Sequence, residues 1–176
     1  MSEMFLSAKR PFYQSTQLME LRPIDMDVYY NFAENFFARR GGHVDKAAFD
    51  AIYLKFYGQT WYVQAVLNRL YERYHDVDTA EKVDRTITML VEENTPAYQT
   101  LASLLPDKQL ELMKAIAADD IVAAPTNGDF IRRHNLKAAS SVSSALKALA
   151  DKELIYKTER GYMVYDRLMS LWLRGL

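Results

Sequence analysis

The residues able to do chemistry are few and scattered. His43, His75 and His134 lie far apart, and none stands at i, i+4 from another ligand type, which argues against a metal site or a histidine acid–base pair. The chain has no cysteine, which removes disulfides, thiolate ligands and a cysteine nucleophile. No glycine opens a Gly-x-x-x-x-Gly-Lys-Ser/Thr run, so the sequence has no phosphate-cradling P-loop, and Gly-x-Gly-x-x-Gly is also absent. The run Ala115-Ile-Ala-Ala-Asp119-Asp120 has the apolar-then-acidic look of a magnesium-binding strand but reads as a helix end. The pairs Ser140-Ser141 and Ser143-Ser144 have no nearby base and no strand–turn–helix elbow to activate a hydroxyl. The expectation is a chain with no catalytic site and no metal site of its own.

What remains is contact chemistry. Arg132 and Arg133 fall on one short predicted helix, Ser140, Ser141, Ser144 and Lys147 on the next, and Lys157 and Arg160 in a predicted hairpin. Together they form the candidate DNA- or protein-binding set. Phosphate contacts position a protein on nucleic acid, whereas base-edge contacts specify sequence. A helix offering serines, without Arg, Asn or Gln, is poorly equipped for base readout. Net charge is −1. From Asp107 onward eleven Lys/Arg stand against nine Asp/Glu, a small excess for a nucleic-acid binder.

The elements that must position these residues follow from periodicity. Val142, Ala145, Leu146 and Leu149 recur at helical spacing and leave the serines and Lys147 on the opposite face. Leu154-Ile-Tyr156, the turn Thr158-Glu-Arg-Gly161 and Tyr162-Met-Val-Tyr165 read as a two-stranded ribbon. Helix 128–134, a turn, this helix and the ribbon describe a winged helix-turn-helix. Upstream, helices are expected from Asp25 or Asp27 to Phe37, from Asp45 to Phe56, from Thr60 to Tyr74, and from Asp78 onward with a break near Thr95 imposed by Pro96. Their aromatic stripes, including Tyr29, Phe32, Phe36 and Phe37, read as core. The fold class is therefore mainly α: a helical lid-like bundle followed by a winged helix-turn-helix with a small β-hairpin wing. No apolar run is long enough to cross a bilayer, and the N-terminus is too weakly apolar for a signal peptide, so a cytoplasmic protein without a membrane partner is expected.

These residues also carry a resemblance. The chain resembles the C-terminal half of bacterial and archaeal AAA+ (STAND-like) P-loop ATPases. Lys9-Arg-Pro-Phe-Tyr13 looks like that family's segment after the ATPase core, and Gly58-Gln-Thr-Trp-Tyr-Val-Gln64 looks like its lid motif. Gly128 to Tyr156 resembles its winged helix, and Tyr165 to Arg174 is similar to its closing segment. Gln14-Ser15 departs from the family's Gly-Arg, and Trp61 stands where proline is usual. The resemblance implies a connecting arm at 1–23 from a missing ATPase core, a lid-like bundle at 24–105 and a winged helix domain at 106–176. It implies Arg10 as a nucleotide contact, with ATP and magnesium held by the parent protein rather than by this chain. The partners implied are its own ATPase domain and a protein or DNA docked on the winged helix. The alternative is a free-standing winged-helix DNA-binding transcriptional regulator.

Overall fold

The computed structural model describes residues 22–175. The arm expected over 1–23, with the nucleotide contact expected at Arg10, lies almost wholly outside the described residues. Four helices come first: α1 (Met26–Ala38), α2 (Lys46–Lys55), α3 (Thr60–Arg73) and α4 (Ala80–Ser103). Two-residue strands β1 (His43–Val44) and β2 (Asp76–Val77) pair in parallel between them. Then follow α5 (Asp107–Asp119), α6 (Gly128–Arg133), α7 (Ala139–Asp151), the hairpin β3 (Ile155–Lys157) and β4 (Tyr162–Val164), and α8 (Arg167–Leu173). The molecule is mainly helical with a winged-helix hairpin, as its periodicity implies.

Side-chain caps set several of these starts. Asp25 accepts hydrogen bonds from the Asp27 and Val28 amides at 3.0 and 3.1 Å, and Asn127 and Asp166 do the same for α6 and α8. Thr79, not Asp78, caps α4. Asp78 instead pairs with Lys82 one turn on at 2.6 Å.

Pro96 does not break α4, which runs through it to Ser103. Proline removes one donor, so the Glu92 carbonyl loses its partner. Glu92 and Pro96 both lie on the exposed side of the helix. The side chains of Asn94 and Thr95 bond the Leu90 and Val91 carbonyls at 2.7 and 3.0 Å, adding local donors in that turn. Tyr98, just beyond, is buried and its ring lies 5.8 Å from that of Trp172, which holds the far half of α4 against α8.

The aromatic stripe of α1 is only half core. Tyr29, Ala33 and Phe37 are buried, whereas Phe32 is 60% and Phe36 42% exposed. Successive helical residues turn by about 100°, so Phe32 stands more than a quarter turn from Ala33. A helix packed on one side buries a single row and leaves its flank in solvent. The buried row meets α2 and α3 through edge-to-face pairs, Tyr29 with Phe49 at 5.6 Å and Phe37 with Tyr71 at 5.2 Å.

The second half is a winged helix. A bridge from the loop after α5 completes its sheet: the Val122 amide donates to the Tyr162 carbonyl at 3.0 Å and the Tyr162 amide returns the bond at 2.9 Å. Gly161, at φ +144°, makes this possible, because a Cβ there would meet the Val122 carbonyl at 2.6 Å. The α6–α7 turn closes with Asn135 at φ +52° while the Leu136 amide reaches back to the Ile131 carbonyl at 2.9 Å. One contiguous cluster of buried side chains extends from Tyr29 to Leu171 and joins both halves.

Candidate docking surface

The sequence-selected residues sit on α6, α7 and the wing. Along α7, Val142, Ala145 and Leu149 are buried against the domain, which turns Ser140, Ser144 and Lys147 outward and leaves Ser141 half-buried. The Ser144 hydroxyl donates to the Ser140 carbonyl at 3.0 Å, so part of its hydrogen-bonding capacity is taken up within the helix. Ser140, Ser141 and Ser144 form one wall of an open groove of about 630 Å³, and Pro106 to Gln109, at the start of α5, form the other. Its serine wall is made of small side chains, suited to close approach by another surface. Asp107 and Lys108 on its rim carry opposite charges, so the groove offers no net positive field to a phosphate.

The cations divide into two groups. Arg132 pairs with Asp129 on its own helix, and Arg133 pairs with Asp119 at 2.8 Å. Asp119 also accepts from His134 Nε2 at 2.9 Å. Burial raises the Asp119 carboxyl, but Arg133 and His134 outweigh it and hold it below the usual carboxylate range. Arg133 faces a hollow lined by Asp119, Asn127 and Asp129, apart from the serine groove. The structure thus does not gather the arginines and the serines into one site. Lys147, Lys157 and Arg160 pair with no carboxylate among the described residues. Lys157 Nζ lies 5.7 Å from the Tyr162 ring centre, and Arg160 occupies the exposed turn of the wing.

The most constrained charged cluster was not among the sequence candidates. Asp120 accepts from the Tyr57 hydroxyl and from the guanidinium groups of Arg167 and Arg174. Its backbone stands at φ +67°, ψ −59°, and the Ile121 amide bonds the Asp119 carbonyl at 2.8 Å, which makes Asp120 the centre of a γ-turn of the rare, strained hand. Burial raises its carboxyl, but Tyr57, Arg167 and Arg174 together hold it below the usual range. Arg167 is 2% exposed, and its Nε and Nη1 have no partner among the described residues. The cluster therefore ties α2's C-terminal turn, the end of α5 and α8 together, linking the bundle to the winged helix. The Asp119-Asp120 pair at a helix end was its signal in the sequence. Its partners lie roughly fifty residues away, which periodicity cannot reveal.

Among the described residues no three His, Asp or Glu side chains are grouped to hold a metal ion. No described helix is long and apolar enough to cross a membrane. No curated protein and no solved structure matches the chain. Residues 96–175, from the second half of α4 through α8, match the family model of a probable winged helix domain.

Proposed function

We propose that this chain is a non-catalytic docking module, the regulatory C-terminal region of a P-loop ATPase, in which the winged helix engages a partner protein. Winged helices serve both DNA and proteins. The observation that carries the choice is the separation of charge from the α7 face: Arg132 and Arg133 stand on α6 in exposed surface ion pairs, beside a hollow apart from the serine groove. That leaves an α7 face of serines and Lys147, with little for phosphate and less for base edges. The resemblance of Gly58 to Gln64 to a lid motif supports the ATPase parentage, and the shared core supports motion of bundle and winged helix as one body. ATP and magnesium would then act in the parent's core, and its nucleotide state would reach the partner by rotation of this body.

The alternative, a free-standing DNA-binding regulator, draws on Lys147, Lys157 and Arg160, which pair with no carboxylate among the described residues. Fluorescence anisotropy with a random duplex and with genomic fragments, repeated across a salt series, separates the two. Protein docking predicts no binding tighter than about 10⁻⁶ M at physiological salt, the non-specific range. Tighter binding with a steep salt slope transfers the assignment to the regulator. ATP turnover by the isolated chain would refute the non-catalytic reading. In the full protein, Lys147→Glu with Lys157→Glu should abolish partner engagement without altering thermal stability.

A further inference from the structure

On another part of the molecule, a cleft of about 470 Å³ opens between the start of α3 and the end of the wing. Gln59, Trp61 and Tyr62 line one side, and Tyr156, Tyr165 and Asp166 the other. The rings meet as two corners: Trp61 and Tyr62 at 4.8 Å and 86°, Tyr156 and Tyr165 at 5.9 Å and 78°. Trp61 is 65% and Tyr165 63% exposed, and both line the cleft. The back face of Tyr62 is covered by the stacked ring of Phe56 at 5.4 Å, so the corner is held rigidly. Gln59 Nε2 donates to the Tyr156 hydroxyl at 3.2 Å and braces the two sides.

The chemistry of this cleft is that of a cation receptor. Aromatic faces attract cations through their quadrupole, and a carboxylate at the same site adds net charge. Asp166 Oδ1 is taken by the Leu168 and Met169 amides that it caps, at 2.9 and 3.0 Å. Oδ2 receives only a long bond from the Tyr98 hydroxyl at 3.3 Å. Gln59 Oε1 accepts nothing among the described residues. Burial pushes the Tyr62 hydroxyl up to about 12, so it remains a neutral wall. The adjoining Arg167 guanidinium turns away toward Asp120, leaving Asp166 without an ion-pair partner among the described residues.

We propose that this cleft binds the guanidinium of an arginine side chain presented by a partner polypeptide. A planar guanidinium can stack on an indole or phenol while donating N–H bonds in its plane, which matches the aromatic corners with the spare acceptors of Gln59 and Asp166. A quaternary ammonium would leave both acceptors unused. The site lies apart from the α7 face and does not depend on what that face docks.

The test is a ¹H–¹⁵N titration of the full chain, following the Trp61 indole. The probes are N-acetyl-arginine amide, its neutral citrulline counterpart and tetramethylammonium. Arginine should give saturable shifts with a Kd on the order of 1 mM, and each of the others should bind at least about threefold more weakly. Tyr165→Ala and Gln59→Ala should each weaken arginine about three- to fivefold with the remaining spectrum retained. Lys147→Glu, on α7 away from the cleft, should leave the titration unchanged, which keeps this result separate from that of the α7 face. Equal binding of citrulline, indifference to Tyr165→Ala, or no saturable indole shift would overturn the proposal.

Discussion

Replacing Asp120 with asparagine tests what joins the two halves. Asparagine tolerates positive φ about as well as aspartate, so the γ-turn is disturbed little while the charge is lost. Arg167 is the residue that suffers. Its side chain is 3% exposed, and with Nε and Nη1 unpartnered its only counter-charge among the described residues is Asp120. Removing one partner of a buried pair costs about 3–5 kcal/mol, because the other charge stays desolvated. Asp120 itself keeps a side-chain exposure of 30%, and Arg174, at 29%, can rehydrate, so the low end applies, about 3 kcal/mol. For a chain of this size that corresponds to a fall in Tm of roughly 6–12 °C. Circular dichroism melts at pH 7 measure it. Adding Arg167→Met removes the stranded charge at similar volume and should restore most of the loss.

The same pair contributes to the pH dependence. The Asp120 carboxyl is lowered in the folded protein, so its stabilisation is present above the unfolded value of about 3.9 and is lost as pH falls through the folded value. Parent and Asp120→Asn should therefore converge in acid. A Tm change below about 2 °C at neutral pH, or an equal cost of Arg167→Met in both backgrounds, would refute the reasoning.

Other substitutions probe the remaining corrections. Phe37→Ala should cost about 3–5 kcal/mol in denaturant melts, against less than about 1 kcal/mol for the exposed Phe32→Ala; comparable costs would restore Phe32 to the core. Gly161→Ala combines a φ of +144° with a clash against the Val122 backbone and should lower stability by about 2 kcal/mol or more, with the wing's amides losing exchange protection first. His43 is raised by its hydrogen bonds to Glu34 and then Asp45. Its stabilisation is present below the ordinary value of about 6.5 and lost as pH rises through the folded value. An NMR titration should place its midpoint above that of a free histidine, and His43→Gln should remove this part of the pH slope.

The sequence by itself determined the winged helix and the local starts of most helices. Val142, Ala145 and Leu149 repeat with the helical period, Gly161 marks the hairpin turn, and Asp25, Asn127 and Asp166 cap by bonds that reach only two or three residues. Such signals are local, so spacing carries them. Tertiary packing decided the rest. Whether Phe32 or Ala33 faced inward depended on which side of α1 met α2 and α3, and whether Pro96 broke α4 depended on Tyr98 having Trp172 to pack against. The partner of Arg132 was already written in Asp129 one turn away, but that of Arg133, Asp119, arrives from another helix. Asp120 meets Arg167, and Trp61 and Tyr165 line one cleft, only because α8 and the wing fold back on the bundle. A one-dimensional period records which face of an element is apolar, but not which distant side chain will meet it.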